Sequence, residues 1–328
     1  MEAIYPSKLK KGDVVSVVAP SRSMSILSQE SINIANKRFN ELGLRLNFGK
    51  NIYEKDDFVS SSIKSRIQDL HGAFSDKKVK AVITVIGGFN CNQLLKYIDW
   101  DIIKNNPKIF CGFSDITALN NAIFAKTGLV TYSGPHYSSF GQKLYLEYTI
   151  EYFKKCLFSE KPFNVEPSEK WSDDLWYMNQ NNRKLIPNNG YLVINEGVAA
   201  GAIIGANLCT LNLLQGTEFM PNLEGTVLFI EDDNESKLHT FDRDLQSLIH
   251  QAGFSKVMAI VIGRFQNESN MTNGLLTQII KTKKELEKIP VIAGVDFGHT
   301  DPKITFPIGG EVRLEISKKE SIIEIIKH

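Results

Sequence analysis

Short apolar, β-branched segments alternate with longer amphipathic segments through the first half of the chain, and no other feature limits the fold as strongly. The segments Val14 to Ala19 and Val79 to Ile86 are typical of buried strands, whereas 28–42 and 62–74 repeat apolar residues at helical spacing. Strands that alternate with helices form parallel sheets covered by helices. The sequence therefore predicts a doubly wound α/β sheet, and ligands of such sheets bind at the carboxyl ends of the strands.

The second half of the chain predicts a further α/β unit after a change in composition. Residues 161–189 are polar, contain many Asn residues and show no sustained period, which indicates a linker or a substrate-facing loop. Beyond this segment, strand-like and helical patterns alternate again. We predict an N-terminal domain at 1–160, a linker or substrate loop at 161–189, and a smaller C-terminal domain at 190–328.

Charge and cysteine content disfavour several classes of function. The chain has 38 Lys and Arg residues and 37 Asp and Glu residues, which gives a formal charge of +1. Such a small net charge provides no field that attracts nucleic acid or an anionic membrane. No apolar run reaches the roughly 18 residues that a spanning helix needs. The N-terminus, MEAIYPSKLKKGD, lacks the hydrophobic segment of a signal peptide, so we expect a cytoplasmic protein. The four cysteines are widely spaced, which predicts reduced thiols rather than a zinc site or disulfides.

Ser114 lies where a predicted strand runs directly into a predicted helix. A serine in such a turn exposes its hydroxyl beside free helix N–H groups, which is the geometry of a nucleophile elbow. Gly112 removes a Cβ where the turn is crowded, although Ile116 stands where hydrolase elbows usually have a second glycine. Serine is also a frequent helix N-cap, so this pattern alone leaves both roles open.

A nucleophilic serine needs a general base, and the chain has six histidines. His299 lies in a glycine-flanked loop, GVDFGHTDP, directly after a predicted buried strand. His136, in TYSGPH, also follows a predicted strand and is the alternative base. Loops at strand ends present catalytic groups in such folds, but a histidine there can also make only local hydrogen bonds.

The base in turn needs a carboxylate that orients it. Glu231 ends an apolar strand and opens the acidic run EDDNE. This run can be a solvated loop, and it lacks the spacing and the glycine of a calcium loop, so we expect no metal site.

The pair Gly87-Gly88 follows a predicted strand and is too short to be a dinucleotide fingerprint, so we expect no cofactor. Its backbone N–H groups can form one half of an oxyanion hole, with the N–H group of Asp115 as the other half.

The motifs GGFN, GFSD, IEDD and GHTDP, in this order and spacing, resemble the LD-carboxypeptidase family of serine peptidases, which includes the microcin C self-immunity proteins. The resemblance extends from KLKKGDVVSVVAPS to VDFGHTDPKITFPIGG, nearly the whole chain. It implies a triad of Ser114, His299 and Glu231, with oxyanion N–H groups from Gly88 and Asp115. It also implies a Rossmann-like N-terminal domain that carries the nucleophile, a C-terminal domain that carries Glu and His, a site between them, and a homodimer.

The residues around the Gly87-Gly88 pair indicate which branch of the family, and so which substrate, the chain resembles. Members of the peptidoglycan-recycling branch carry arginine before the Gly-Gly pair and an aromatic-glycine pair after it, whereas here Ile86 precedes and Phe89-Asn90 follow. This segment and the Trp-containing stretch WSDDLW resemble the microcin-immunity branch, in which a loop aromatic stacks on adenine. We therefore expect Trp176, Asn90 and His136 to contact the substrate.

Two functions from different classes follow. The first is a serine hydrolase that cleaves an amide in a murein tetrapeptide or a microcin C-like aminoacyl-adenylate through an acyl-enzyme. The second is a non-catalytic module whose two domains close on a small nucleotide or peptide ligand. Candidate Ser, Glu and His residues at three separate strand ends favour the enzyme.

Overall fold

The computed structural model describes residues 2–328, which form a mixed α/β structure with two large sheets. The α-helices are α1 (Gln29–Glu41), α2 (Ile63–Ser75), α3 (Trp100–Lys104), α4 (Thr117–Thr127), α5 (Glu147–Leu157), α6 (Leu208–Asn212), α7 (Leu238–Ile249) and α8 (Asn273–Lys281). The strands are β1 (Val14–Val18), β2 (Arg45–Phe48), β3 (Val79–Thr84), β4 (Ile109–Cys111), β5 (Thr131–Ser133), β6 (Phe163–Asn164), β7 (Lys170–Trp171), β8 (Ile186–Pro187), β9 (Leu192–Asn195), β10 (Gly197–Asn207), β11 (Thr226–Glu231), β12 (Ala259–Gly263), β13 (Val291–Val295), β14 (Phe306–Ile308), β15 (Glu311–Ile316) and β16 (Ser321–Lys327).

The first sheet has six strands in the order β14-β5-β4-β3-β1-β2. Strands β1 to β5 are parallel, and this part has the order of a doubly wound fold. Local chemistry explains the helix ends: the Ser28 hydroxyl accepts a hydrogen bond from the Ser31 N–H at the start of α1, and Gly128, with φ 76°, ends α4. The predicted fold class is confirmed, with small differences at the ends of elements.

The second sheet has eight strands in the order β6-β16-β15-β10-β11-β12-β13-β9. Its centre, β10 to β13, is parallel and was expected from the buried apolar runs. The sequence patterns do not predict the antiparallel hairpin of β15 and β16.

Two crossings tie the parts of the chain together. Strand β14, from the C-terminal part, pairs antiparallel with β5 in the first sheet. Strand β6, from the segment predicted to be a linker, pairs with β16 in the second sheet, and that segment also contains β7 and β8. The two sheets therefore do not divide the chain at one point, and the domain limits given above stay a prediction.

The carboxyl ends of β3, β4, β11 and β13 carry the loops that hold the candidate site residues. Among residues 2–328, no helix combines the length and the apolar character that crossing a bilayer requires.

Candidate active site

Ser114 follows β4 and opens a short 3-10 helix, Ser114–Ile116. Phe113 occupies the N-cap position, and among residues 2–328 no backbone N–H group donates to the Ser114 hydroxyl. Ser114 also has φ 60°, in the left-handed region that costs energy for a residue with a side chain. The turn therefore holds the hydroxyl in a strained position without using it as a helix cap.

A chain of two hydrogen bonds joins Ser114, His299 and Glu231. The Nε2 atom of His299 lies 3.0 Å from Ser114 Oγ, and its Nδ1 atom lies 2.8 Å from Glu231 Oε2. Glu231 ends β11 and is buried, whereas His299 is partly exposed. The three residues are far apart in sequence, and they meet because they lie at or just after the carboxyl ends of β4, β11 and β13.

Two glycines allow Glu231 to approach His299. A Cβ on Gly298 would lie 2.7 Å from Glu231 Cδ, and a Cβ on Gly263 would lie 2.7 Å from Glu231 Cβ. Real side chains do not approach this closely, so both positions must lack one for the carboxylate to occupy its place.

Opposing effects set the pKa of His299. Burial lowers this pKa, but the negative charge of Glu231, its hydrogen bond and the charge of Asp233 raise it by more. The net pKa lies above the ordinary 6.5. A histidine of this kind readily accepts a proton and stays paired with a carboxylate when it does so.

Asp232, next to Glu231, also has a perturbed pKa. Burial and then the negative charge of Glu231 raise the pKa of Asp232 to about 7. Its Oδ1 atom accepts a hydrogen bond of 3.3 Å from Asn207 Nδ2, whereas Oδ2 is buried without a partner among residues 2–328. The prediction singled out Glu231 alone, although the acidic run was the signal that could have pointed to its neighbour.

The Gly87-Gly88 turn lies directly against Ser114. A Cβ on Gly87 would lie 3.1 Å from Ser114 Oγ. Within residues 2–328, the backbone N–H groups of Gly88 and Asp115 make no hydrogen bond. The Asp115 carboxylate accepts hydrogen bonds from Ser21 Oγ at 2.5 Å and from the Cys91 N–H at 3.0 Å, which ties two loops to the turn.

His136, the alternative base, does not contact Ser114. Its Nδ1 atom lies 2.8 Å from Thr84 Oγ1, and its ring stacks on Phe113 with centroids 4.3 Å apart. The side chain is buried, and burial lowers its pKa well below the ordinary value. These contacts support the turn that holds Ser114, and the substrate contact expected of His136 stays a prediction. Thr84, a polar residue in an apolar strand, was a signal that the sequence reasoning missed.

Asn90 is likewise buried, and both polar atoms of its side chain are used within the protein. Its Nδ2 atom donates to Ser60 Oγ at 2.9 Å, and its Oδ1 atom accepts from the Arg66 guanidinium at 3.0 Å. These bonds tie Asn90 to its neighbours, and its expected contact with the substrate stays a prediction. Asn90 also holds the loops around the Gly87-Gly88 turn.

Trp176 lies in a loop that is tied to the segment after His299. Ser172 and Asp301 exchange two backbone hydrogen bonds of 2.7 Å, and Arg183 pairs with Asp174 in the same loop. The Trp176 ring is partly buried and packs edge-on against Tyr177. The proposed contact between Trp176 and a substrate stays a prediction.

No cluster of three or more potential metal ligands occurs in the part of the chain that the structure describes.

Comparison with known proteins adds independent findings. The model of the LD-carboxypeptidase N-terminal domain matches residues 15–134, and that of the LD-carboxypeptidase C-terminal domain matches residues 200–314. YocD of Bacillus subtilis, which is named as a carboxypeptidase, is 56% identical over 99% of this chain and 100% of its own length.

Solved structures resemble the fold closely. The MccF-like protein of Bacillus anthracis superposes with a TM-score of 0.98 at 54% identity, over 99% of this chain and 100% of that one. The microcin C7 self-immunity protein MccF of Escherichia coli is 33% identical over 96% of this chain and 94% of its own. A structure of MccF in complex with glutamyl sulfamoyl guanosine superposes with a TM-score of 0.88 over 98% of each chain, at 32% identity.

Proposed function

The chain belongs to the LD-carboxypeptidase family, and from this premise we propose that it is a serine hydrolase that cleaves an amide bond in a small substrate. The observation that carries the proposal is the hydrogen-bonded chain from Ser114 Oγ through His299 to Glu231, at 3.0 Å and 2.8 Å. These distances fit a nucleophile, a general base and an orienting carboxylate.

In the first half of the reaction, Ser114 Oγ attacks the carbonyl carbon of the amide while His299 Nε2 takes the hydroxyl proton. The other ring nitrogen, Nδ1, keeps its proton and donates it in a hydrogen bond to Glu231, whose negative charge stabilises the imidazolium. His299 next donates the proton to the leaving nitrogen, the C–N bond breaks, and the acyl group remains on Ser114 as an ester.

The free N–H groups of Gly88 and Asp115 are the proposed donors to the oxyanion that forms in this step. Neither group has an acceptor within the described chain, and Gly87 lies against Ser114. Removal of one such donor in other hydrolases costs about a hundredfold or more in rate. Water activated by His299 then cleaves the ester and releases the acid product.

The substrate is proposed to be either a murein tetrapeptide or an aminoacyl-adenylate. The family name supports a peptide, and the MccF structures hold aminoacyl nucleotide analogues. For the nucleotide, Trp176 is the residue proposed to stack on the base. A homodimer and a cytoplasmic location stay predictions of the sequence, and sedimentation velocity tests the first of them.

Labelling by a fluorophosphonate, followed by intact mass and peptide mapping, tests the proposal. We expect one adduct on Ser114 in the wild-type protein and none in Ser114→Ala. Ser138→Ala, which removes a buried serine hydroxyl outside the hydrogen-bonded chain, is the matched control and should label normally. A folded wild-type protein without any adduct, or an adduct on another serine, contradicts the serine-hydrolase assignment.

A further inference from the structure

Arg22 is an exposed arginine beside the Gly87-Gly88 turn, and its guanidinium makes no hydrogen bond or ion pair among residues 2–328. We propose that Arg22, supported by Phe89, binds a carboxylate of the substrate close to the bond that is cleaved. This inference rests on the proposed hydrolase function and names the chemical group that the site recognises.

The backbone of Arg22 is held on both sides, so the fold fixes the point from which its side chain extends. Its N–H donates to the Gly87 carbonyl at 3.3 Å, and its backbone forms an isolated antiparallel bridge with Ser60. The preceding residue, Ser21, bonds to the carboxylate of Asp115, the residue after Ser114. A fixed backbone removes one of the ordering costs that binding would otherwise include.

Contacts across the two glycines place Arg22 near the nucleophile. A Cβ on Gly87 would lie 3.1 Å from Ser114 Oγ, and a Cβ on Gly88 would lie 3.0 Å from Arg22 Cγ. The serine and the arginine therefore flank one dipeptide, Gly87-Gly88, so the arginine borders the same turn as the nucleophile.

Phe89 shapes the chemistry of this arginine. The Arg22 guanidinium carbon lies 5.9 Å from the centroid of the Phe89 ring, which is half exposed and packs edge-on against Phe58. Contact with an aromatic face leaves the in-plane N–H groups of a guanidinium free. Those groups match the two oxygens of a carboxylate in a bidentate pair.

The other basic groups around the site are already occupied. Lys303 pairs with Asp301, Arg183 with Asp174, and Arg264 with Asp296. Arg66 is buried and donates to the Pro20 carbonyl, Asn90 and Gln93. Arg22 differs from these four groups because it is exposed and its guanidinium has no partner. A substrate carboxylate can therefore bind it without displacing an internal partner.

The test compares probes that differ in one charge. The peptide L-Ala-γ-D-Glu-L-Lys-D-Ala and its C-terminal amide differ in the carboxylate of the leaving residue, whereas aspartyl and asparaginyl sulfamoyl adenosine differ in a side-chain carboxylate. Binding is measured by calorimetry on the Ser114→Ala protein with and without Arg22→Gln, so that no turnover is needed.

We expect Arg22→Gln to weaken the binding of the acid in one of these pairs about tenfold, which is the effect of losing a charge-assisted hydrogen bond. The affinity for the amide of the same pair should not change. The affected pair identifies which carboxylate is bound, and Arg22→Lys should recover only part of the affinity. Arg45→Gln, which removes an exposed guanidinium at the N-terminal end of β2, is the control and should change neither pair.

Equal affinities with and without Arg22→Gln for both acids, or no binding of either acid, overturn the inference. Failure of the proposed hydrolase function appears separately, as a wild-type protein that fluorophosphonate does not label at Ser114. An anion-binding Arg22 in a protein that does not label would support a binding module instead of an enzyme.

Discussion

Gly298 packs directly against the carboxylate of Glu231, so that a Cβ on Gly298 would lie 2.7 Å from Glu231 Cδ. Gly298 also has φ 97°, a conformation that side chains disfavour. The residue before His299 thus sets where the carboxylate lies, and through it the orientation of the imidazole. The hydrogen bonds that join Ser114, His299 and Glu231 therefore require that Gly298 has no side chain.

Gly298→Ala should lower kcat by about a hundredfold or more, because displacement of a reacting group by about 1 Å has an effect of this size. Turnover and the melting temperature should be measured on the same preparation. Gly72→Ala is the control, since a Cβ there meets nothing within 4 Å on helix α2 and alanine favours the helix. Normal turnover in Gly298→Ala would show that the Glu231 position is not needed.

Ser114→Ala and Ser114→Gly should both abolish turnover, by several orders of magnitude if Ser114 is the nucleophile. Because Ser114 has φ 60°, glycine relieves strain that alanine keeps. Ser114→Gly should therefore be more stable than Ser114→Ala by roughly 1 kcal/mol in urea unfolding. An alanine variant as stable as the glycine variant would contradict the strained backbone, and residual wild-type activity would remove the nucleophile assignment.

The rate constant kcat/KM should fall on the acid side with a midpoint above pH 6.5, since the base must be neutral and the pKa of His299 is raised. Glu231→Gln removes the charge that raises this pKa, while burial still lowers it. The midpoint should therefore move to lower pH in Glu231→Gln, together with a loss of rate. An unchanged midpoint in a pH-rate profile would assign the titration to another group.

Asp232→Asn should stabilise the protein at pH 8 and less so near pH 5. The pKa of Asp232 is raised from its ordinary value to about 7, so the folded state binds a proton that the unfolded state releases near pH 4. This contribution to stability is present below pH 4 and is lost as pH rises to about 7. Thermal melting across this range checks it, with the exposed Asp57→Asn as control. A stability difference that does not change with pH would contradict the raised pKa.

Trp176→Ala should raise KM for an aminoacyl-adenylate about tenfold or more and barely change hydrolysis of a murein peptide, because stacking on a base contributes roughly 1 to 3 kcal/mol. Trp171→Ala is the comparison variant, since that ring packs under Arg264. Equal losses on both substrates would mean that Trp176 only supports the loop.

Local sequence patterns suffice to predict which segments become strands and helices and which residues stand at strand ends. Buried apolar runs identify β1, β3, β11 and β13, and serine and glycine residues mark the ends of α1 and α4. Both kinds of pattern can be recognised because they depend on residues that are close together in the chain. The same local signals singled out Ser114, Glu231 and His299 as candidates.

Which of the candidate residues lie in contact depends on the packing of the whole chain. The choice between His299 and His136 depended on strand order, which places the loop after β13 against Ser114 and buries His136 beneath the turn. The burial of Asn90 depended in the same way on Arg66 and Ser60, residues far from it in sequence. Such contacts come from pairing between distant strands and from the close approach of backbones, and local periodicity carries no information about either.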